Sequence, residues 1–143
     1  EPVFENDHFS FISYDEEHHR IAIVRVPGLE GRKSNAEGLD HVAYTYSSLA
    51  DLIATYERLR DDGTEPYWCI NHGPTTSMYY RDPDGNQVEL QVDNFATAQE
   101  LKAWFATDAF ARNPIGVEFK PEELARKFRG GVPVEELLEP GRG

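Results

Sequence analysis

Cysteine is nearly absent. Cys69 stands alone among 143 residues, so no internal disulfide can form and a cystine-held scaffold is excluded. A lone thiol suits a reducing compartment, and a cytoplasmic location is expected. Positive charge is scarce as well: 14 Lys and Arg face 26 Asp and Glu, a formal charge of −12. Such a field repels phosphate backbones and anionic headgroups, so neither nucleic acid nor membrane is an expected partner. Long apolar runs are missing. No window approaches the ~18 apolar residues of a membrane span. The opening "EPVFENDHFS" is acidic and lacks the apolar stretch of a signal peptide, so none is expected. Histidine is sparse, at 5 residues, which makes the placement of each informative.

What is present belongs to a folded chain, with 39% hydrophobic and 12% aromatic residues. "VFENDHFSFISYD" (3–15) predicts two short strands around a turn at Asn6-Asp7, with Phe9, Phe11 and Ile12 buried. "HRIAIVRV" (19–26) predicts a third strand, ended by Pro27-Gly28, and 28–38 a mobile polar loop. "LDHVAYTY" (39–46) predicts a strand, with Leu39, His41, Ala43 and Thr45 on one face. Asp40, Val42, Tyr44 and Tyr46 fall on the other. Ser48 and Asp51 have capping-box spacing, and Leu49, Leu52, Ile53, Tyr56 and Leu59 form an apolar helical stripe that Gly63 ends. "EPYWCIN" (65–71), "SMYYRD" (77–82) and "QVELQV" (87–92) predict strands, separated by turns at 72–76 and 83–86. Helices are expected over 97–111 and 120–131, with Trp104, Phe105 and Phe110 as core or dimer contacts, and the last residues are expected to fray.

The stretch 39–92 thus reads β-α-β-β-β, and the three strands within 3–26 match the last three strands of such a unit. The expected domains are a partial first module (1–26), a linker loop (27–38), a complete module (39–92) and a helical C-terminal extension (93–143).

Two residues carry chemistry on strands. His41 sits in "DHVAY" and Glu89 in "VELQ". Each alone has an ordinary reading, a hydrogen-bonded histidine or a solvated carboxylate. Together they supply two-thirds of a 2-His-1-carboxylate facial triad, a set that leaves positions open on a divalent iron.

Here the residues resemble a known family. "DHVAY" and "SMYYRDPDGNQVELQ" are similar to the vicinal oxygen chelate superfamily, which holds glyoxalases, bleomycin resistance proteins and dioxygenases. The resemblance implies an α+β fold of paired β-α-β-β-β modules forming an open barrel around a metal. It implies His41 and Glu89 as metal ligands, with a further histidine ligand upstream of Glu1. "HHRIAIV" resembles the type I extradiol ring-cleaving dioxygenases and implies His19, rather than His18, as the acid–base group. His72-Gly73 matches that family's hairpin His-Gly. Its tyrosine falls at Tyr79 by spacing from Pro83 and Glu89, with Tyr80 the rival if the register shifts. "NPIGVEF" in the tail is similar to small dioxygenases of this type.

The implied activity is cleavage of a catechol-type ring by O2 on Fe(II), with Mn(II) as the alternative metal. Trp68, Ile70 and Phe95 would line the ring site. The partners would be a small aromatic diol and O2, and a homo-oligomer is expected. A non-enzymatic binder of aromatic or metal-chelating compounds, or a glyoxalase or fosfomycin-type metalloenzyme, is the alternative. A glyoxalase would want a glutamate within "RIAIV", where none stands.

Overall fold

In the computed structural model, residues 2–31 and 37–141 are described. Much of the predicted 28–38 loop, namely 32–36, lies outside them, as do Glu1 and residues 142–143. The chain divides into two compact units, Glu1–Ala36 and Glu37–Gly143.

The first unit is an antiparallel sheet in the order β1 (Pro2–Glu5), β2 (Phe9–Ile12), β3 (Ile21–Val24). The Asn6 side chain accepts from His8 N and Phe9 N at 2.8 Å each and forms the predicted turn. Arg20 closes the longer β2–β3 loop on Asp15, Nη2 to Oδ2 2.8 Å, and that hydrogen bond holds the Asp15 carboxyl below its usual range. Phe11 is half-buried, but Phe9, predicted buried, is 41% exposed, because this three-stranded sheet carries apolar side chains on both faces.

The second unit is α+β. A five-stranded sheet runs β4 (His41–Tyr46), β7 (Gln87–Asp93), β6 (Thr75–Arg81), β5 (Trp68–Asn71), β8 (Val117–Glu118). β4 lies parallel to β7, which requires the crossover helix α1 (Leu49–Asp61). Ser48 caps α1 by accepting from Asp51 N. Leu49, Leu52, Ile53 and Tyr56 then pack on Cys69, Met78, Tyr80 and Val92 from the sheet. Full burial of each of these aliphatic side chains stabilises by about 1.5–3 kcal/mol.

Alternation makes the opposite sheet face the one that carries His41, Glu89, Tyr79, Trp68 and Ile70. The β6–β7 register is pinned by the turn at 82–86. Asp82 accepts from Asp84 N, Asn86 N and Asn86 Nδ2 at 3.0, 2.7 and 2.8 Å. Partial burial pushes the Asp82 carboxyl up, but these donors together hold it below its ordinary value.

The C-terminal residues differ from expectation in three ways. The helix predicted over 97–111 is two, α2 (Ala98–Phe105) and α3 (Ala109–Arg112). The break comes where Thr107 donates its hydroxyl to Trp104 O at 2.6 Å and accepts from Ala109 N. β8 was not legible, since two residues carry no period. After α4 (Pro121–Arg129), a further helix that was not expected forms, α5 (Val134–Leu137). There Leu137 and Leu138 are buried against Leu124 and Ala125, and that burial holds the segment down. No helix among the described residues is long and apolar enough to cross a membrane.

Candidate metal centre

β4 and β7 bring His41 and Glu89 together. His41 pairs with Gln87 and Ala43 with Glu89, so the two side chains stand one step apart on the same face. His41 Nε2 lies 3.0 Å from Glu89 Oε2. The other ring nitrogen, Nδ1, lies 2.7 Å from Asp40 Oδ2. Glu89 is 4% exposed, a buried carboxylate that must be compensated.

The imidazole therefore faces an acceptor at each nitrogen. Nδ1–H donates to Asp40, and Nε2 and the Glu89 carboxylate must share either a proton or a cation. A carboxylate that orients the far nitrogen of a ligating histidine is the usual outer support of a metal site. Alternation placed Asp40 on the opposite strand face. Instead it lies just before β4, where the chain is free to turn its carboxylate back to the ring. Its carbonyl accepts from Gln87 Nε2 at 3.0 Å.

Tyr79 pairs directly with Glu89 across β6–β7 and with Trp68 across β5–β6. Its ring meets His41 edge-on at 5.6 Å and lies 5.0 Å from Trp68. Burial first, then the adjacent Glu89 carboxylate, pushes the Tyr79 hydroxyl far above its ordinary pKa. The hydroxyl therefore keeps its proton at neutral pH. Tyr80, the rival, projects to the other face into the α1 core.

His72 follows β5, with Nε2 3.0 Å from the Tyr79 hydroxyl and Nδ1 2.6 Å from the Ile115 carbonyl. Trp68 stands beside both, its Nε1 donating to Glu118 Oε1 at 2.8 Å. Ile70 shares this face but is wholly buried, so it supports the wall rather than offering surface. Phe95 is placed elsewhere. Its ring packs 5.9 Å from Trp104 and lines a hollow beyond the ends of β4 and β7, with Tyr46 and Val92.

His19 belongs to the first unit. It is half-buried, stacked on Phe11 at 4.8 Å, with its Nδ1 2.5 Å from His18 Nδ1. One of the two rings must donate to the other there, so exposed His18 is a partner of His19. Among the described residues no group of three or more His, Cys, Asp or Glu could hold a metal ion. The site residues that sequence reasoning missed are Asp40, Ile115 and Glu118. Only the Asp-His dipeptide and the Asn-Pro-Ile-Gly turn hinted at them.

A family model described as the Glyoxalase/Bleomycin resistance protein/Dioxygenase superfamily matches residues 5–90. The chain is 46% identical over 136 residues to "Biphenyl-2,3-diol 1,2-dioxygenase 2" of Rhodococcus globerulus. It is 47% identical over 137 residues to "Biphenyl-2,3-diol 1,2-dioxygenase 3" of the same organism. Each match covers 94% of this chain and 72% of the relative. The solved Mn(II)-bound glyoxalase from Novosphingobium aromaticivorans is 30% identical at a TM-score of 0.37, covering 60% of this chain and 27% of that one.

Proposed function

The chain belongs to the glyoxalase/bleomycin resistance protein/dioxygenase superfamily, and we propose that it serves extradiol cleavage of a catechol-type aromatic diol by O2, on Fe(II) or Mn(II). The observation that carries this reading is the His41 ring held between two carboxylates, with Nε2 turned to buried Glu89. The relatives, named for a biphenyl diol, support an aryl-substituted catechol as the substrate class.

His41 Nε2 and Glu89 Oε2 would hold the metal, and the proposal takes its third donor from outside the described residues. When bound, the metal supplies a Lewis acid that eases loss of the diol protons and gives diol and O2 a common site. The chain's own residues do the rest. Tyr79, protonated throughout the neutral range, offers one O–H to a diol oxygen that becomes anionic. His72 Nε2, within hydrogen-bond reach of that hydroxyl, takes a proton when neutral and returns it when charged. Trp68 and Tyr79, rings 5.0 Å apart and tilted by 31°, offer an aromatic wall that suits an aromatic ring. His19 keeps, on the resemblance of "HHRIAIV", the role of acid–base group. A mere binder needs the metal pair and the ring wall. It has no use for the Tyr79–His72 proton pair, which favours the enzyme.

The test is anaerobic loading of the chain, extended upstream of Glu1 by the segment that carries the further histidine, with Fe(II) and biphenyl-2,3-diol, followed by air. A yellow ring-opened product is expected; a loaded complex that gives none would refute the activity. His41→Ala and Glu89→Ala should each lower Fe(II) affinity by more than about 100-fold, beyond the ~10–100-fold loss typical of outer supporting residues. Full metal retention in both would refute the ligand assignment. His19→Phe should keep the metal and lose turnover, and unchanged turnover would remove its role.

A further inference from the structure

His72 opens the β5–β6 hairpin, and groups from the C-terminal extension converge on it. The Ile115 carbonyl lies 2.6 Å from its Nδ1. A carbonyl only accepts, so Nδ1 carries a proton. The Trp104 indole packs against Gly73, where an added Cβ would come 2.5 Å from two ring carbons. Trp68, held by Glu118, meets the His72 ring edge-on at 5.6 Å.

Ile115 is itself fixed. Asn113 closes on Gly116 twice, Oδ1 accepting from Gly116 N at 3.0 Å and Nδ2 donating to Gly116 O at 2.8 Å. Gly116 has φ +113°, and a Cβ there would lie 2.2 Å from Asn71 O. Only glycine lets these two backbones approach so closely. Immediately afterwards β8 pairs Val117 with Asn71 and Glu118 with Ile70. The carbonyl is thus tied down on both sides.

We infer that the segment Asn113–Glu118 is a positioning element of the site: it presents the Ile115 carbonyl to His72 Nδ1 and so fixes where the His72 proton sits. A free neutral imidazole favours the proton on Nε2. Here the carbonyl selects Nδ1–H and leaves Nε2 as an acceptor facing Tyr79 at 3.0 Å. Tyr79 has one O–H, and Nε2, kept open, is an acceptor within its reach. The value of this arrangement for turnover rests on the proposed function, but the tautomer does not need a metal.

The experiment is a long-range proton–nitrogen correlation spectrum of the metal-free chain, with the His72 signals identified by their loss in His72→Gln. The Nδ1–H tautomer is expected, and an Nε2–H tautomer would overturn the inference. Asn113→Ala should move His72 toward Nε2–H and leave the other histidines unchanged. In loaded enzyme it should lower kcat about 10-fold, a single general acid–base contribution at the low end being ~100-fold, with KM nearly constant. Asn113→Asp, which retains the acceptor for Gly116 N, should keep Nδ1–H. An Asn113→Ala variant that folds with an unaltered tautomer would refute the inference. Should that variant not fold, Asn113→Ser, which can keep one of the two hydrogen bonds, is read the same way. Absence of ring cleavage with the tautomer as stated would refute the proposed activity alone.

Discussion

Asp40 is an exposed side chain that governs a half-buried one. Its carboxylate, 81% exposed, holds His41 Nδ1–H and so decides which nitrogen faces Glu89. Removing it should free the ring to rotate. Asp40→Ala is expected to lower Fe(II) affinity by about 10–100-fold, the range for lost supporting partners of metal ligands. Stability should change by less than ~1 kcal/mol, because the pair is solvent-screened. Chelator competition and urea denaturation measure the two separately, and unchanged metal affinity would refute the orienting role. At this scale the sequence was informative where burial is costly. A glutamate between Val88 and Leu90 stands out because an apolar strand does not bury a carboxylate without a partner. Ile115 left no such trace, since what it contributes is a backbone oxygen that any residue would supply.

Elements with a period were legible and elements made by contact were not. α1 has its cap, its apolar stripe and its terminating Gly63 written locally, and it forms within a residue of the expected bounds. β8 exists because Val117 and Glu118 reach β5, and nothing in "VE" announces a strand. The two capped helices should also respond differently to loss of the cap. Ser48→Ala should cost about 1 kcal/mol of global stability, because α1 is locked into the core by Leu49, Leu52, Ile53 and Tyr56. Thr97→Ala removes a complete two-bond capping box from α2, which has no buried residue. Its effect should be faster amide exchange near residues 98–101 with a nearly unmoved urea midpoint. Equal shifts of the two midpoints would show that α2 is part of the same cooperative unit.

Across the molecule, the helix-covered core holds protons that an unfolded chain would release in alkali. Burial pushes the Cys69 thiol up to about 12, with Glu122 and Glu65 adding to it. Burial, then the Glu122 carboxylate, pushes the Tyr56 hydroxyl up to about 12. Tyr80, whose buried hydroxyl has no hydrogen-bond partner among the described residues, is raised too, chiefly by burial. Folded pKa values above the unfolded ones mean that the folded state binds more protons. Stability is therefore full below about pH 9 and falls between about pH 9 and 12 as the unfolded thiol and phenols ionise. The urea midpoint should hold to about pH 9 and decline from there to about pH 11, and Cys69→Ala should flatten the early part of that decline; a level profile would refute the account. Tyr80 also has a neighbour with an opposite environment, since one step along β6 separates it from Tyr79 beside Glu89. For anyone diversifying this chain, substitution within β6 is a graded change, whereas inserting or deleting one residue between Asp82 and Asn86 slips β7 against β6, so that Glu89 no longer stands opposite Tyr79. A useful library should therefore vary letters and hold loop length constant.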